Sequence, residues 1–408
     1  MRWWREAGPV ERRALVAGTA GWMLDGMDVM LYAFALGAIQ QEFGLTGGQA
    51  GALASVTLLA SSIGGIGVGI LADRYGRARM LRWAVVAYSV FTALTATATS
   101  VGQLVLWRTL LGLGMGGEWS AGSVLVAETW RARDRGKAIG VMQSGWAVGY
   151  ILAAALAALI IPRFGWRPLF LFGLLPAALA FWIRRNVPEP ERWQPAPSGA
   201  GWSSALRTML RPPYLARTVI ATSIATFLLF AYWGLFTWVP RFLAAPVEAG
   251  GAGMGVVRSS GWVIPMQLGA LAGYLSFGFL ADRFGRRPVF LTFVLASAVI
   301  VPLYGGAARD PTVLLLLGPL VGFFGHGYFS VFGAMLAELY PTSIRGTAQG
   351  TCYNAGRAVS ALAPYSIGAL ADARGLGSAL GFTALFYLAA GALIWKLPET
   401  RGRELDDS

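Results

Sequence analysis

Twelve stretches of this sequence are each apolar over roughly the 20 residues that one helix needs to cross a bilayer, and no other feature constrains the fold as tightly. They lie near 14–38, 50–72, 80–98, 101–127, 137–161, 168–185, 216–240, 259–281, 288–305, 311–336, 346–370 and 376–397. In hydrocarbon every backbone N–H and C=O must be satisfied within the protein, so such stretches form helices. The expected fold is therefore all-α and polytopic. Composition agrees: 13% of residues are charged, about half the share in a soluble domain. A net charge of +13 ordinarily raises nucleic acid as a partner, but arginines scattered between apolar runs present no basic face. The lipid bilayer is the expected partner instead, with no nucleic acid. One cysteine, Cys352, permits no intrachain disulfide and no thiolate metal site. No metal, cofactor, nucleophile with its base, or phosphate loop is expected, which argues against an enzyme.

Basic residues set the orientation, because cytoplasmic loops carry the excess of arginine and lysine. With the N-terminus inside, 25 of the 33 fall on inside segments and six outside, while Arg108 and Arg357 lie within spans. Both termini should be cytoplasmic. The first apolar run is too long for a signal-peptide core and is expected to be retained. The halves also repeat. Gly69-Ile-Leu-Ala-Asp73-Arg74-Tyr-Gly76-Arg77 returns as Gly278-Phe-Leu-Ala-Asp282-Arg283-Phe-Gly285-Arg286; Glu128, Arg135 and Pro188-Glu189 return as Glu338, Arg345 and Pro398-Glu399. Six helices per half is an even number, so the halves share one topology about an axis along the membrane normal. The expected organisation is an N-terminal six-helix lobe, 1–185, a cytoplasmic linker, 186–215, and a C-terminal six-helix lobe, 216–408.

The loop Gly69 to Arg79 and its echo at Gly278 to Arg287 resemble the best-known motif of the major facilitator superfamily. Gly116-Gly117-Glu118-Trp119, Gly165-Trp166-Arg167-Pro-Leu-Phe and Arg184-Arg185-Asn186-Val-Pro188-Glu189 are similar to its sialate and lactate proton symporter branch and that branch's metabolite:proton relatives. The resemblance implies twelve helices in two lobes and proton-driven import of a small organic acid anion, such as a monocarboxylate or sialic-type sugar acid, by alternating access across the cell (plasma or inner) membrane. A functional monomer follows from the internal repeat. The fifth helix lacks the Gly-Pro of drug antiporters, and the seventh lacks the asparagine and aspartate of lactate permeases. An aromatic acid resembling nicotinate or benzoate, a neutral sugar and a non-coupled uniporter stay open as alternatives.

The candidate site residues are charges in apolar surroundings, where each costs about 2.5–3.5 kcal/mol on insertion scales and is usually functional or paired. Asp25 and Asp28 share one face of the first helix. Two neighbouring carboxylates resist being charged together, so one is a natural proton carrier. Arg108 and Glu118 lie on the fourth helix, ten residues apart and on roughly similar sides. The resemblance implies that Asp28 works with Arg108. When Asp28 is charged it holds the guanidinium; when protonated it frees Arg108's two-pronged donors for a substrate carboxylate. Glu118 is either a second proton site or the neutralising partner of Arg108 or Asp25. Arg357, with Tyr353 and Asn354 on its face of the eleventh helix, is either an anion ligand or paired with backbone or Glu338. His326, the only histidine, titrates nearest neutrality and is either a proton or substrate contact or a satisfied helix contact. Tyr328, Tyr32, Gln143, Trp146, Tyr232, Trp233 and Gln267 are further cavity candidates. At the cytoplasmic ends, Asp73 can accept from a neighbouring helix start and pair with Arg77. Asp282 with Arg286 repeats this, and Glu128–Arg135 and Glu338–Arg345 complete the clusters. The resemblance makes these a latch for the outward-open state.

Overall fold

The computed structural model describes residues 2–130, 132–186, 200–341 and 344–399. The linker stretch 187–199 and the side chains of Asp73, Arg77, Glu118, Glu128, Arg135, Asp282, Glu338 and Arg345 lie outside the described residues. That set includes every expected latch residue except Arg286.

All regular structure among the described residues is helical, and it forms twelve spans. In the first half these are α1 (Pro9–Phe43), α2 (Gly47–Tyr75), α3 (Arg77–Thr95), α4 (Val101–Thr129), α5 (Ala132–Phe164) and α6 (Arg167–Leu171 continuing as Leu175–Asn186). In the second they are α7 (Tyr214–Phe236, then Val239–Ala244), α8 (Gly255–Phe284), α9 (Arg286–Gly306), α10 (Pro311–Gly327, then Phe329–Glu338), α11 (Arg345–Ser360, then Leu362–Arg374) and α12 (Leu376–Gly381, then Ala384–Ile394). Short helices also occur at Arg2–Glu6 and, within the connection between halves, at Ala200–Met209. Among the described residues, seven spans are long and apolar enough by themselves to cross a membrane. α4 carries Arg108 within its apolar run, and α11 carries Asn354 and Arg357.

The breaks have local causes. Pro176 offers no N–H to the Phe172 carbonyl and its ring crowds that oxygen, so α6 tightens to a 3-10 turn at Phe172–Leu174. Pro240 does the same to the Phe236 carbonyl, where α7 breaks; that oxygen accepts the Tyr150 hydroxyl of α5 at 3.0 Å instead. In α12 no proline intervenes, but the Thr383 hydroxyl donates back to Leu380 O at 2.7 Å, a bond that competes with the helical ladder. The repeat survives in three dimensions: Gly76 and Gly285 turn the chain between α2 and α3 and between α8 and α9 with φ of +108° and +100°, values that favour glycine.

Within the first lobe α1 packs on α5 and α2 on α4; within the second α7 packs on α11 and α8 on α10. The lobes meet along two seams, α5 against α8 and α2 against α11. The polar residues of the site lie between these seams.

Candidate substrate site

α1 presents Asp25 and Asp28 one turn apart, each 1% exposed. An arginine reaches each carboxylate from a different lobe: the charge of Arg108 on α4 acts on Asp28, and that of Arg357 on α11 acts on Asp25. Both arginines are buried. Neither carboxylate comes within 4.0 Å of these guanidinium nitrogens, so no ion pair is closed. α2 runs antiparallel to α1 and brings Thr57 and Ser61, also one turn apart and buried. Ser61 Oγ accepts from Arg357 Nη1 at 3.5 Å, and Thr57 lines a small cavity with Arg108, Tyr32, Met115, Trp233 and Thr237. The result is a ladder of two polar rungs. Asp28, Arg108 and Thr57 form one, all in the first lobe. Asp25, Ser61 and Arg357 form the other, which crosses the seam.

Aromatic rings wall this region from both lobes. Trp22 and Trp146 lie 4.7 Å apart between centroids, Trp146 and Trp233 5.9 Å, and Tyr232 and Trp233 5.3 Å. The Arg108 guanidinium stacks on the Tyr32 ring at 4.2 Å, and the Tyr32 hydroxyl donates to Ala50 O at 2.8 Å. Arg357 lies 5.2 Å from the Tyr353 ring centroid. Asn354 Nδ2 donates to Gly350 O at 3.0 Å.

His326 takes part in a closed relay. Its Nδ1 meets the Gly322 carbonyl at 3.2 Å, which must accept, so Nδ1 carries the proton of the neutral ring and Nε2 accepts from the Tyr232 hydroxyl at 3.3 Å. Tyr232 in turn accepts from Trp146 Nε1, joining α7 of the second lobe to α5 of the first. Both ring nitrogens are engaged.

Buried polar atoms nearly always find partners, and several exceptions among the described residues lie here. Arg108 Nε and Nη1, Arg357 Nε, Trp22 Nε1, Trp233 Nε1, both amide atoms of Gln267, and one oxygen each of Asp25 and Asp28 have none. Gln267 is fully buried on α8, on the face of Ala270 and Tyr274, which pack with Ala147 of α5. Gln143 is buried on α5.

One end of the site is sealed. Asp372 of α11 accepts the Gly47 and Gly48 N–H groups at the start of α2, at 2.9 and 3.0 Å, a favourable place for a carboxylate. A Cβ on Gly51 would lie 2.2 Å from Pro364 O, and one on Gly368 2.3 Å from Gly47 O. Backbone therefore rests on backbone. Arg241 of α7 donates to Gln40 of α1 at 3.1 Å beside them.

The family model of the Major Facilitator Superfamily matches residues 19–263 and 254–407. The chain belongs to the Major Facilitator Superfamily. It is a multi-pass membrane transporter of that fold. A probable 4-methylmuconolactone transporter of Cupriavidus pinatubonensis is 36% identical over 99% of this chain and 94% of that protein. The sialic acid transporter NanX of Escherichia coli is 31% identical over 95% and 96%. In fold, the xylose transporter XylE from E. coli in a partially occluded inward-open conformation superposes with a TM-score of 0.77, covering 98% of this chain and 100% of that one at 20% identity.

Within this superfamily fold two sequence motifs have a structural role. Trp166 and Arg167 clasp Glu42: Arg167 donates to both carboxylate oxygens at 2.7 and 2.6 Å and Trp166 Nε1 to one at 2.7 Å, tying the α5–α6 turn to the end of α1. Glu399 of the second Pro-Glu accepts the Arg286 and Arg287 N–H groups at 3.0 Å each and so caps α9. Its repeat mate Glu189 lies outside the described residues. Thr92, Gly173, Thr57, Ser61 and Trp22 were not singled out by the sequence, since a small or aromatic residue in an apolar helix is unremarked without its neighbour.

Proposed function

We propose that this transporter is a proton symporter that imports a small organic acid anion by alternating access, as a single chain with both termini in the cytoplasm. The observation that carries this reading is the set of buried donors without partners on Arg108, Arg357, Trp233 and Gln267. Cationic donors without acceptors suit a carboxylate. Rings from both lobes suit a planar body, and the relative named for 4-methylmuconolactone points the same way. A planar unsaturated or aromatic acid therefore comes first. A sugar acid comes second, supported by NanX and by the Gln267 amide, which can serve hydroxyl groups.

In the proposed mechanism Asp28 takes the proton and Arg108, released, takes the substrate carboxylate; Arg357 contacts the anion from the other lobe, with Asp25 as its competitor. Glu118 is a further proton-coupling candidate. His326, Tyr232, Tyr353, Asn354 and Tyr32 shape the walls.

The test begins with thermal shifts of purified protein against planar acids, sugar acids, monocarboxylates and neutral sugars at acid and neutral pH, since a ligand of the folded state raises Tm. A planar acid should stabilise the wild type and not Arg357→Ala. Stabilisation by a neutral sugar alone overturns the anion reading. In proteoliposomes, Asp28→Asn should abolish accumulation driven by a proton gradient while sparing exchange without one; accumulation that persists overturns the coupling role.

A further inference from the structure

We propose that Thr92 and Gly173 are positioning residues for Asp28, together holding its carboxylate in one rotamer with one oxygen committed and the other left open for the proton. This rests on the reading of Asp28 as the proton site. Thr92 lies on α3, fully buried, and its hydroxyl donates to Asp28 Oδ2 at 3.0 Å. Its neighbours on the same helix behave differently: Ser89 donates to Val85 O at 2.7 Å and Thr95 to Phe91 O at 3.0 Å, both back into their own helix. That inward bond is the usual resting place of a hydroxyl in an apolar helix. Thr92 gives it up for a carboxylate on another span.

Gly173 makes this possible. It sits in the 3-10 turn of α6, where a Cβ would lie 2.2 Å from Thr92 Cγ2 and 3.3 Å from Asp28 Oδ1. Its φ is not in the left-handed region, so the requirement is for space. A methyl group there would drive Thr92 off the carboxylate. The open oxygen, Oδ1, has no partner and lies on the Gly173 side. Three spans thus converge on one acid.

The charged and titratable groups that bear on Asp28 are Asp25 on its own helix and Arg108 from α4, with Tyr32 beneath the guanidinium. Arg357 of α11 acts on Asp25, and α4 also carries Glu118. α3 and the α6 turn bring only Thr92 and the bare glycine. A hydroxyl that donates to a carboxylate favours its charged form, so removing it lets the acid keep its proton to higher pH.

The test needs no substrate. The carboxyl C=O stretching band of protonated Asp28, assigned by its loss in Asp28→Asn, is titrated by infrared difference spectroscopy on full-length protein in lipid. Thr92→Val, close in shape, should move the midpoint alkaline by about half to one pH unit, and Thr92→Ser should restore it. Gly173→Ala should move it in the same direction. A midpoint unchanged in Thr92→Val overturns the proposal, whatever transport shows. If the midpoint moves as expected but the wild type fails to accumulate acids under a proton gradient, the symport reading falls and the positioning role stands.

Discussion

Gly51→Ala should pry open the sealed end of the transporter. The new Cβ would lie 2.2 Å from Pro364 O, 2.6 Å from its carbonyl carbon and 2.9 Å from Tyr365 Cα. All three are backbone atoms of α11, so no rotamer change can relieve the clash. Restoring an ordinary C···O approach of about 3.3 Å requires α2 and α11 to part by about 1 Å. Overpacking of this kind costs about 1–3 kcal/mol. Charged to the sealed conformation alone, that shifts the equilibrium toward the opened one by about 5- to 150-fold. The seal lies over Ala54, which lines the Arg108 cavity, so a cysteine at that position reports its state. With buried Cys352 replaced by serine, Ala54→Cys is exposed to a membrane-impermeant thiol reagent from the Gly47 side. Gly51→Ala should raise the labelling rate by at least fivefold. Gly48→Ala is the control: its Cβ would meet Ala369 Cβ at an ordinary 3.5 Å, and it gains the same helix propensity. Unchanged labelling in Gly51→Ala, or an equal rise in Gly48→Ala, would refute the steric argument.

Asp372→Ala removes the acceptor at the start of α2, and because this residue is exposed the effect should be smaller, about 2- to 5-fold in the same assay. Tyr150→Phe leaves the Phe236 carbonyl, already abandoned by Pro240, without a donor; the loss should be about 1–3 kcal/mol, read as a lower Tm in detergent, and an unchanged Tm would show that the bond contributes nothing. His326→Phe should slow transport by disturbing the relay to Tyr232 and Trp146, yet leave its pH profile where it was, because the ring is satisfied in its neutral form; a displaced profile would return His326 to the proton pathway.

What the sequence revealed and what it hid follow from the cost of each feature. Twelve spans and a two-fold repeat were legible because hydrocarbon admits no other use of long apolar runs. Asp25, Asp28, Arg108 and Arg357 were legible because a charge in such a run is expensive and stands out. The break in α7 is written in Pro240, whereas α12 breaks beside Thr383 with no proline to announce it. Thr92 and Gly173 were invisible for a different reason. Each is ordinary on its own helix, and their meaning appears only when α1, α3 and α6 meet. The Trp166-Arg167 motif was read as a family mark; its clasp on Glu42 needed a partner 124 residues away.

The two rungs of the ladder differ in what each can do. Asp28 and Arg108 belong to one lobe, so rocking one lobe against the other leaves their separation fixed. Asp25 and Arg357 belong to different lobes, on α1 and α11, and rocking resets their separation. In the proposed cycle a proton on Asp28 is therefore carried through unchanged, while an anion on Arg357 meets a different charge environment at each side. A ligand shifts a conformational equilibrium only by its difference in affinity for the two states. That difference must then come from the rung that crosses the seam, and the rung within the lobe supplies the condition, an uncharged Asp28, under which the anion can bind at all.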